Sequence, residues 1–129
     1  MPTAQRIVTV LVYADIAAAH DFLVDVFGFE SGGVHRNDEG EVMHGEVALA
    51  GEAIWLHRVS PDYGLRAVAD LGSATGMLNV FVEDVDAHHA HAMAAGAKIV
   101  FPPTDQPYGQ REYGASDTEG RIWSFATRT

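Results

Sequence analysis

In the segment MHGEVALA, His44 and Glu46 are separated by a single residue. On a strand both side chains point the same way, and an imidazole beside a carboxylate is the pairing that general acid–base catalysis uses. The plainer reading is a solvated strand face carrying a satisfied histidine. His57 admits the same two readings, with the added role of orienting a ligand beside Trp55 by hydrogen bond. Arg111 and Tyr113 in QREYGAS also project together. A guanidinium next to a phenol ring suits a clamp on a carboxylate or a stack on a planar ligand. Equally, Arg111 pairs with a neighbouring acid and Tyr113 packs across strands. Periodicity leaves open which face of residues 110–116 lines a cavity.

Other chemistry is poorly supplied. His88 and His91 in AHHAHA have helical i, i+3 spacing, but two imidazoles without a third donor make a weak metal site, and an exposed helix face accounts for them. Ser124 has no base close in sequence, and neither a phosphate-cradling Gly-rich loop nor a nucleophile elbow is present. Cysteine is absent, so disulfides, a thiolate nucleophile and a thiolate zinc site are excluded.

The elements that must position these residues follow from periodicity and capping. IVTVLVY, residues 7–13, is β-branched and apolar without a breaker, a buried strand. Asp15 caps a helix whose apolar positions Ile16, Ala19, Leu23, Val26 and Phe27 recur at helical spacing, and Gly28 stops it. Strands are expected near 29–36, 42–50 and 53–58, divided by the turn signals NDEG and AGE. A connector follows, with a short helical piece around Leu65 to Asp70. Then the order restarts: MLNVFVED as strand, VDAHHAHAMAAGA as helix capped by Asp84, and KIVFPP, QREYGAS and RIWSFAT as strands. Aligning Asp15 with Asp84 places Ile16 on Val85 and Ala18 on Ala87, and each half reads βαβββ. The fold class is therefore α+β: module 1 over 5–59, connector over 60–76, module 2 over 77–128. Two such sheets can curl into an open barrel-like surface with helices on the convex side and a ligand cavity in the concave one.

Strand alternation assigns the faces. Ala53, Trp55 and His57 share one side and Ile54 and Leu56 face the helix; His44, Glu46 and Ala48 lie opposite Val47 and Leu49. The matching side of the second half holds Met77, Asn79 and Phe81, then Ile122, Ser124 and Ala126, while Trp123 and Phe125 go to the core. The predicted concave surface is aromatic and apolar with a few polar groups, as small-molecule sites are.

Composition sets the outer bounds. A chain of 129 residues that is 47% hydrophobic suits one domain with a real core. Eight Lys and Arg against 18 Asp and Glu give a formal charge of -10. That surface repels phosphate backbones, so nucleic acid is not an expected partner. It favours a cationic small ligand over an anionic one, although the same charge also serves solubility. No apolar run spans a membrane, and MPTAQRIVTV lacks the character of a secretory signal, so a cytoplasmic location is expected.

The segment MLNVFVEDVDAHHAHAMAAGAKIVFPPTDQPYGQREYGASDTEGRIWSF resembles the second half of proteins of the glyoxalase/bleomycin-resistance/dioxygenase (vicinal oxygen chelate) superfamily. VLVYADIAAAHDFLVDVFGFE resembles their first strand and helix, and MHGEVALAGEAIWL their middle strands. Thr118 stands where the family's final turn carries a proline, but Asp117 and Gly120 still suit a type I turn. The resemblance implies paired βαβββ modules, a homodimer, and a ligand in the concave sheet. In metal-dependent members His, Gln or Glu ligands project from the first, fourth, fifth and eighth strands. The corresponding positions are Val8, Trp55, Met77 and Ser124, no ligand set for a divalent ion. A slip of two residues, to Val10, His57, Asn79 and Ile122 or Ala126, supplies one good ligand at most. The resemblance thus points to the metal-free branch, without a cofactor and without glyoxalase I or extradiol dioxygenase chemistry. The expected function is binding of a small, partly aromatic and cationic molecule, as in antibiotic sequestration, by Trp55, His57, Met77, Asn79, Phe81, Arg111, Tyr113 and Ser124. The rival is a lyase or isomerase that uses His44, Glu46 or His57 as acid and base.

Overall fold

A computed structural model describes residues 2–129. β1 (Thr9–Val12), α1 (Ile16–Asp25), β2 (Glu30–Arg36), β3 (Val42–Leu49) and β4 (Glu52–His57) form the first module. A 3-10 turn at Pro61–Tyr63 and the short α2 (Val68–Leu71) lead to β5 (Asn79–Phe81), α3 (Val85–Ala94), β6 (Lys98–Gln106), β7 (Gln110–Ser116) and β8 (Ile122–Arg128). The sheet orders are β1-β4-β3-β2 and β5-β8-β7-β6, so each module makes its own four-stranded sheet with one parallel pair. The fold is the expected α+β pair of βαβββ modules. No helix among the described residues is long and apolar enough to cross a membrane.

Both main helices start on the aspartates read from sequence. Asp15 Oδ1 accepts from the Ala18 amide at 3.0 Å and Asp84 Oδ1 from that of Ala87 at 3.1 Å, each satisfying an amide without a helical partner. Gly28, at φ +79°, turns the chain out of α1 in a conformation that a β-carbon disfavours. β5 is shorter than its pattern suggested and leaves Met77 outside it. β6 is longer, running through Pro102 and Pro103. Its place at the sheet edge, with register shifts after Ile99 and Phe101, makes the missing amide donors tolerable.

The modules meet on their helix sides. One core runs from Leu11, Ile16, Leu23 and Leu56 to Val85, Tyr113, Trp123 and Phe125, with the Phe27 ring 4.8 Å from Phe125 and 5.9 Å from Trp123. The two curved sheets therefore do not close into a barrel around one cavity; their outer faces point away from the shared core. Polar ties reinforce the joint. Buried Asp117 Oδ2 accepts from Tyr13 Oη at 2.5 Å and from Trp123 Nε1 at 2.9 Å. The Glu119 carboxylate accepts from the Ala14 and Asp15 amides, each at 2.8 Å.

His88 belongs to this joint and not to an exposed helix face; His91 does lie exposed, as expected, but also reaches across the joint. His88 Nε2 donates to the Phe27 carbonyl at 2.8 Å, and His91 Nε2 to that of Asp25 at 3.1 Å. A carbonyl only accepts, so His88 Nε2 carries a proton, and in the neutral ring Nδ1 accepts from Tyr113 Oη at 2.6 Å. Burial disfavours the imidazolium and outweighs the Phe27 carbonyl, holding the His88 pKa below its ordinary value.

Candidate functional site

The outer face of the first sheet is built by register. Val10 stands beside Trp55 and Val12 beside His57; Glu46 lies opposite Trp55, and His44 opposite His57. His35 lies opposite His44, with ring centroids 5.7 Å apart, so three imidazoles cross β2, β3 and β4 in a row. The His44 ring meets Trp55 edge-on at 5.7 Å. His57 Nε2 is hydrogen-bonded to Ser60 Oγ at 3.2 Å. Ile54, Leu56 and Val47 are buried on the helix side, the face alternation assigned to them.

On the second sheet Asn79 pairs with Ser124 and Phe81 with Ala126. Ser124 Oγ lies 3.0 Å from Asn79 Oδ1 and 2.8 Å from Glu112 Oε2. Glu112 is a site residue that sequence reasoning missed. It is 7% exposed, and it also accepts from Gln110 Nε2 at 3.2 Å and from the Tyr108 hydroxyl. The Phe101 ring covers Gly114 so closely that a β-carbon there would sit 2.4 Å from it. Arg128 lies over Phe81, 4.5 Å from the ring centroid.

Three predicted ligand contacts stand elsewhere. Tyr113 pairs with Phe125 on the helix side and is fully buried, its ring 5.5 Å from that of Phe125. Arg111, on the same side, is ion-paired through Nε to Asp86 at 3.1 Å and through Nη1 to Asp105 at 3.3 Å. It borders an acidic groove of about 520 Å3 that also includes Glu83, Asp84 and Thr127. The alternation was sound; what it lacked was the register, and the turn at Asp117–Gly120 carried that signal. A turn that sets Ser116 opposite Ile122 also sets Tyr113 opposite the core residue Phe125 and sends Glu112 outward. Met77 precedes β5 and lines a groove with Val68, Thr75 and Ile122 at the connector. A third groove, of about 320 Å3, runs between the modules past Thr9, Phe29, Leu49, Ala53, Asn79 and Phe81.

A divalent metal does not fit the outward positions of β1, β4, β5 and β8. They offer Val10, Trp55, Asn79 and Ser124, no ligand set for a divalent ion. The donors around them, His44, Glu46 and His57 on one sheet and Glu112 on the other, do not complete one. Among the described residues no three His, Asp or Glu side chains converge to hold an ion. What these faces offer is aromatic surface with isolated hydrogen-bonding groups.

Comparison with known proteins agrees with this architecture. An uncharacterized protein of Mycobacterium bovis is 31% identical over 118 residues, covering 89% of this chain and 78% of that one. The crystal structure of TioX from Micromonospora sp. ML1 superposes with a TM-score of 0.77 at 32% identity, covering 98% of this chain and all of that one. TnmS3, an antibiotic binding protein from Streptomyces sp. CB03234, superposes with a TM-score of 0.74 at 24% identity, covering 100% of this chain and 99% of that one. The pattern of the Glyoxalase/Bleomycin resistance protein/Dioxygenase superfamily matches residues 6–125. The chain belongs to that superfamily.

Proposed function

We propose that this protein binds a small, partly aromatic molecule without a metal, sequestering it against the outer faces of its sheets, and that it does so as a homodimer. The observation that carries this reading is the exposure of Trp55 (37%), Phe81 (44%) and Val10 (46%) on strand faces turned away from the core. Large apolar groups left on a sheet face mark a surface that something else covers. His57, Asn79 and Ser124 interrupt it with polar groups that fix orientation. A ring stacked on Trp55 gains about 0.5–1.5 kcal/mol beyond its buried area. Within one chain the two outer faces do not enclose each other, and a second copy laid across them supplies the missing wall. The antibiotic-binding role of TnmS3 supports sequestration as the use of this fold, and an antibiotic-like natural product is the ligand class proposed.

The test is a thermal-shift screen of aromatic natural products, with sedimentation to fix the oligomeric state. Saturable stabilisation by one compound class is expected, weakened tenfold or more by Trp55→Ala. A screen in which nothing stabilises the protein saturably overturns the reading, as does a stoichiometric metal that is lost when His57 and Glu46 are replaced. A monomer at working concentration removes the dimer. The second reading, an acid–base lyase or isomerase, draws on the His44 ring against Trp55 and opposite His57. It requires turnover that His44→Ala abolishes.

A further inference from the structure

We propose that Glu112 is the anionic anchor of this ligand surface, selecting a molecule with a positively charged group, and that Tyr108 occupies the anchor until that group displaces it. The inference rests on the binding-face reading above and adds the residue that reads the cationic charge expected from composition.

Glu112 projects from the outer face of β7, with Gln110 two residues before it and Ala126 opposite. Burial pushes its carboxyl pKa up, but hydrogen bonds from Tyr108, Ser124 and Gln110 outweigh that and hold it below its ordinary value. The group is therefore an anion at neutral pH. Its three donors are all neutral. Among the described residues no Lys, Arg or His nitrogen lies within 4.0 Å of it. Arg128 shares this face through its pairing with Gln110 but lies over the Phe81 ring instead.

Carboxylates this buried are normally paired with a countercharge. Hydroxyl and amide dipoles satisfy lone pairs without cancelling the charge, so the potential above Glu112 stays negative. The surroundings suit a cation as well. Phe81 and Tyr108 are exposed nearby and Phe101 lies over the adjacent Gly114, and aromatic faces attract cations. Tyr108 stands on the tight turn between β6 and β7, largely exposed, and reaches Glu112 Oε1 only by its hydroxyl. Its departure leaves the Ser124 and Gln110 bonds to Oε2 in place. A guanidinium or ammonium then takes the freed oxygen in a charge-assisted bond stronger than the phenol's.

The probes are phenylguanidinium and its neutral isostere phenylurea, titrated into the full-length protein and followed by amide chemical shifts. Phenylguanidinium is expected to bind at least tenfold more tightly, with shifts centred on residues 108–112 and 124. Glu112→Gln should erase that preference, bringing the phenylguanidinium affinity down to that of phenylurea in the same variant. Tyr108→Phe, which removes the competing hydroxyl, should tighten the cation a few-fold. If Glu112→Gln does not fold, Tyr108→Phe decides, and unchanged or weaker cation binding in it overturns the proposal. Equal affinity for the two probes, no phenylguanidinium binding at millimolar concentration, or a preference that survives Glu112→Gln also overturns it. These results leave the binding surface standing if the natural-product screen finds a Trp55-dependent ligand. A screen without any ligand sinks the surface itself.

Discussion

The outer face of the first sheet is open, with Trp55 and Val10 in solvent, whereas that of the second is largely covered by its own side chains. Phe101 lies over Gly114 and the Tyr108 hydroxyl over Glu112, and Glu112, Ser124 and Ala126 are buried beneath them. The difference comes from the edge strands. β2, ESGGVHR, brings a glycine pair to the edge, while β6, KIVFPPTDQ, brings a phenylalanine. Identical topology thus gives one face able to stack a ring and another that guards a charge. The two β-turns differ in the same way. Asn37 Oδ1 accepts from the Glu39 and Glu41 amides at 3.0 and 2.9 Å, and Asp117 Oδ1 from those of Glu119 and Arg121 at 3.0 and 3.1 Å. Asn37 does no more than hold its turn and its near neighbours, but the second oxygen of Asp117 fastens Tyr13 and Trp123 across the modules.

Replacing the two turn residues should give the largest contrast. Asp117→Ala strands the buried Tyr13 hydroxyl and Trp123 indole and is expected to cost about 3–5 kcal/mol in urea unfolding. Asn37→Ala, at a turn facing water, should cost about 1 kcal/mol. Equal losses would mean that Asp117 does not join the modules. The next contrast lies on the faces. Gly114→Ala must push aside the Phe101 ring at 2.4 Å, for an expected loss of about 1–3 kcal/mol. Gly32→Ala meets the Glu46 carboxylate at 2.7 Å and its β-carbon at 2.8 Å. The carboxylate can swing away but the β-carbon cannot, so the smaller loss expected here comes from β2, an edge strand with a register shift at this point, giving way.

The smallest effect is the pH response of the joint. His88 titrates below its ordinary value in the folded protein, so between that lowered pKa and 6.5 the unfolded chain binds more protons. Its contribution to stability is complete above pH 6.5 and falls as the pH drops towards the folded pKa. The slope is at most one proton's worth, about 1.4 kcal/mol per pH unit. His88→Gln should be less stable at neutral pH and show a shallower acid limb below pH 6.5 than the parent protein. Parallel limbs in the two proteins would show that His88 does not carry this dependence.

The helix caps, the order βαβββ twice over, and the inward faces of β4 and β8 were all readable along the chain. Ile54, Leu56, Trp123 and Phe125 fell on the expected side because alternation is a local property of a strand. Of the residues proposed for the site, Trp55, His57, Asn79, Phe81 and Ser124 lie on the outer faces, again by local alternation. Arg111 and Tyr113 did not, because the face of β7 follows from its register with β8 and not from its own pattern. His88 was misread for a related reason, since its carbonyl partner lies across the module joint, whereas His91 is exposed as expected.

Short-range spacing, capping and composition thus decided the elements, their repetition and the acidic, cysteine-free character of the chain. Those signals act within a turn or two of the backbone. Only the tertiary structure set the row of His35, His44 and His57, the enclosure of Glu112 among neutral donors, and the bridge from Tyr13 to Asp117. Each of these joins groups from separate strands or modules, and their relation is fixed by strand register and by the packing of two modules on one core.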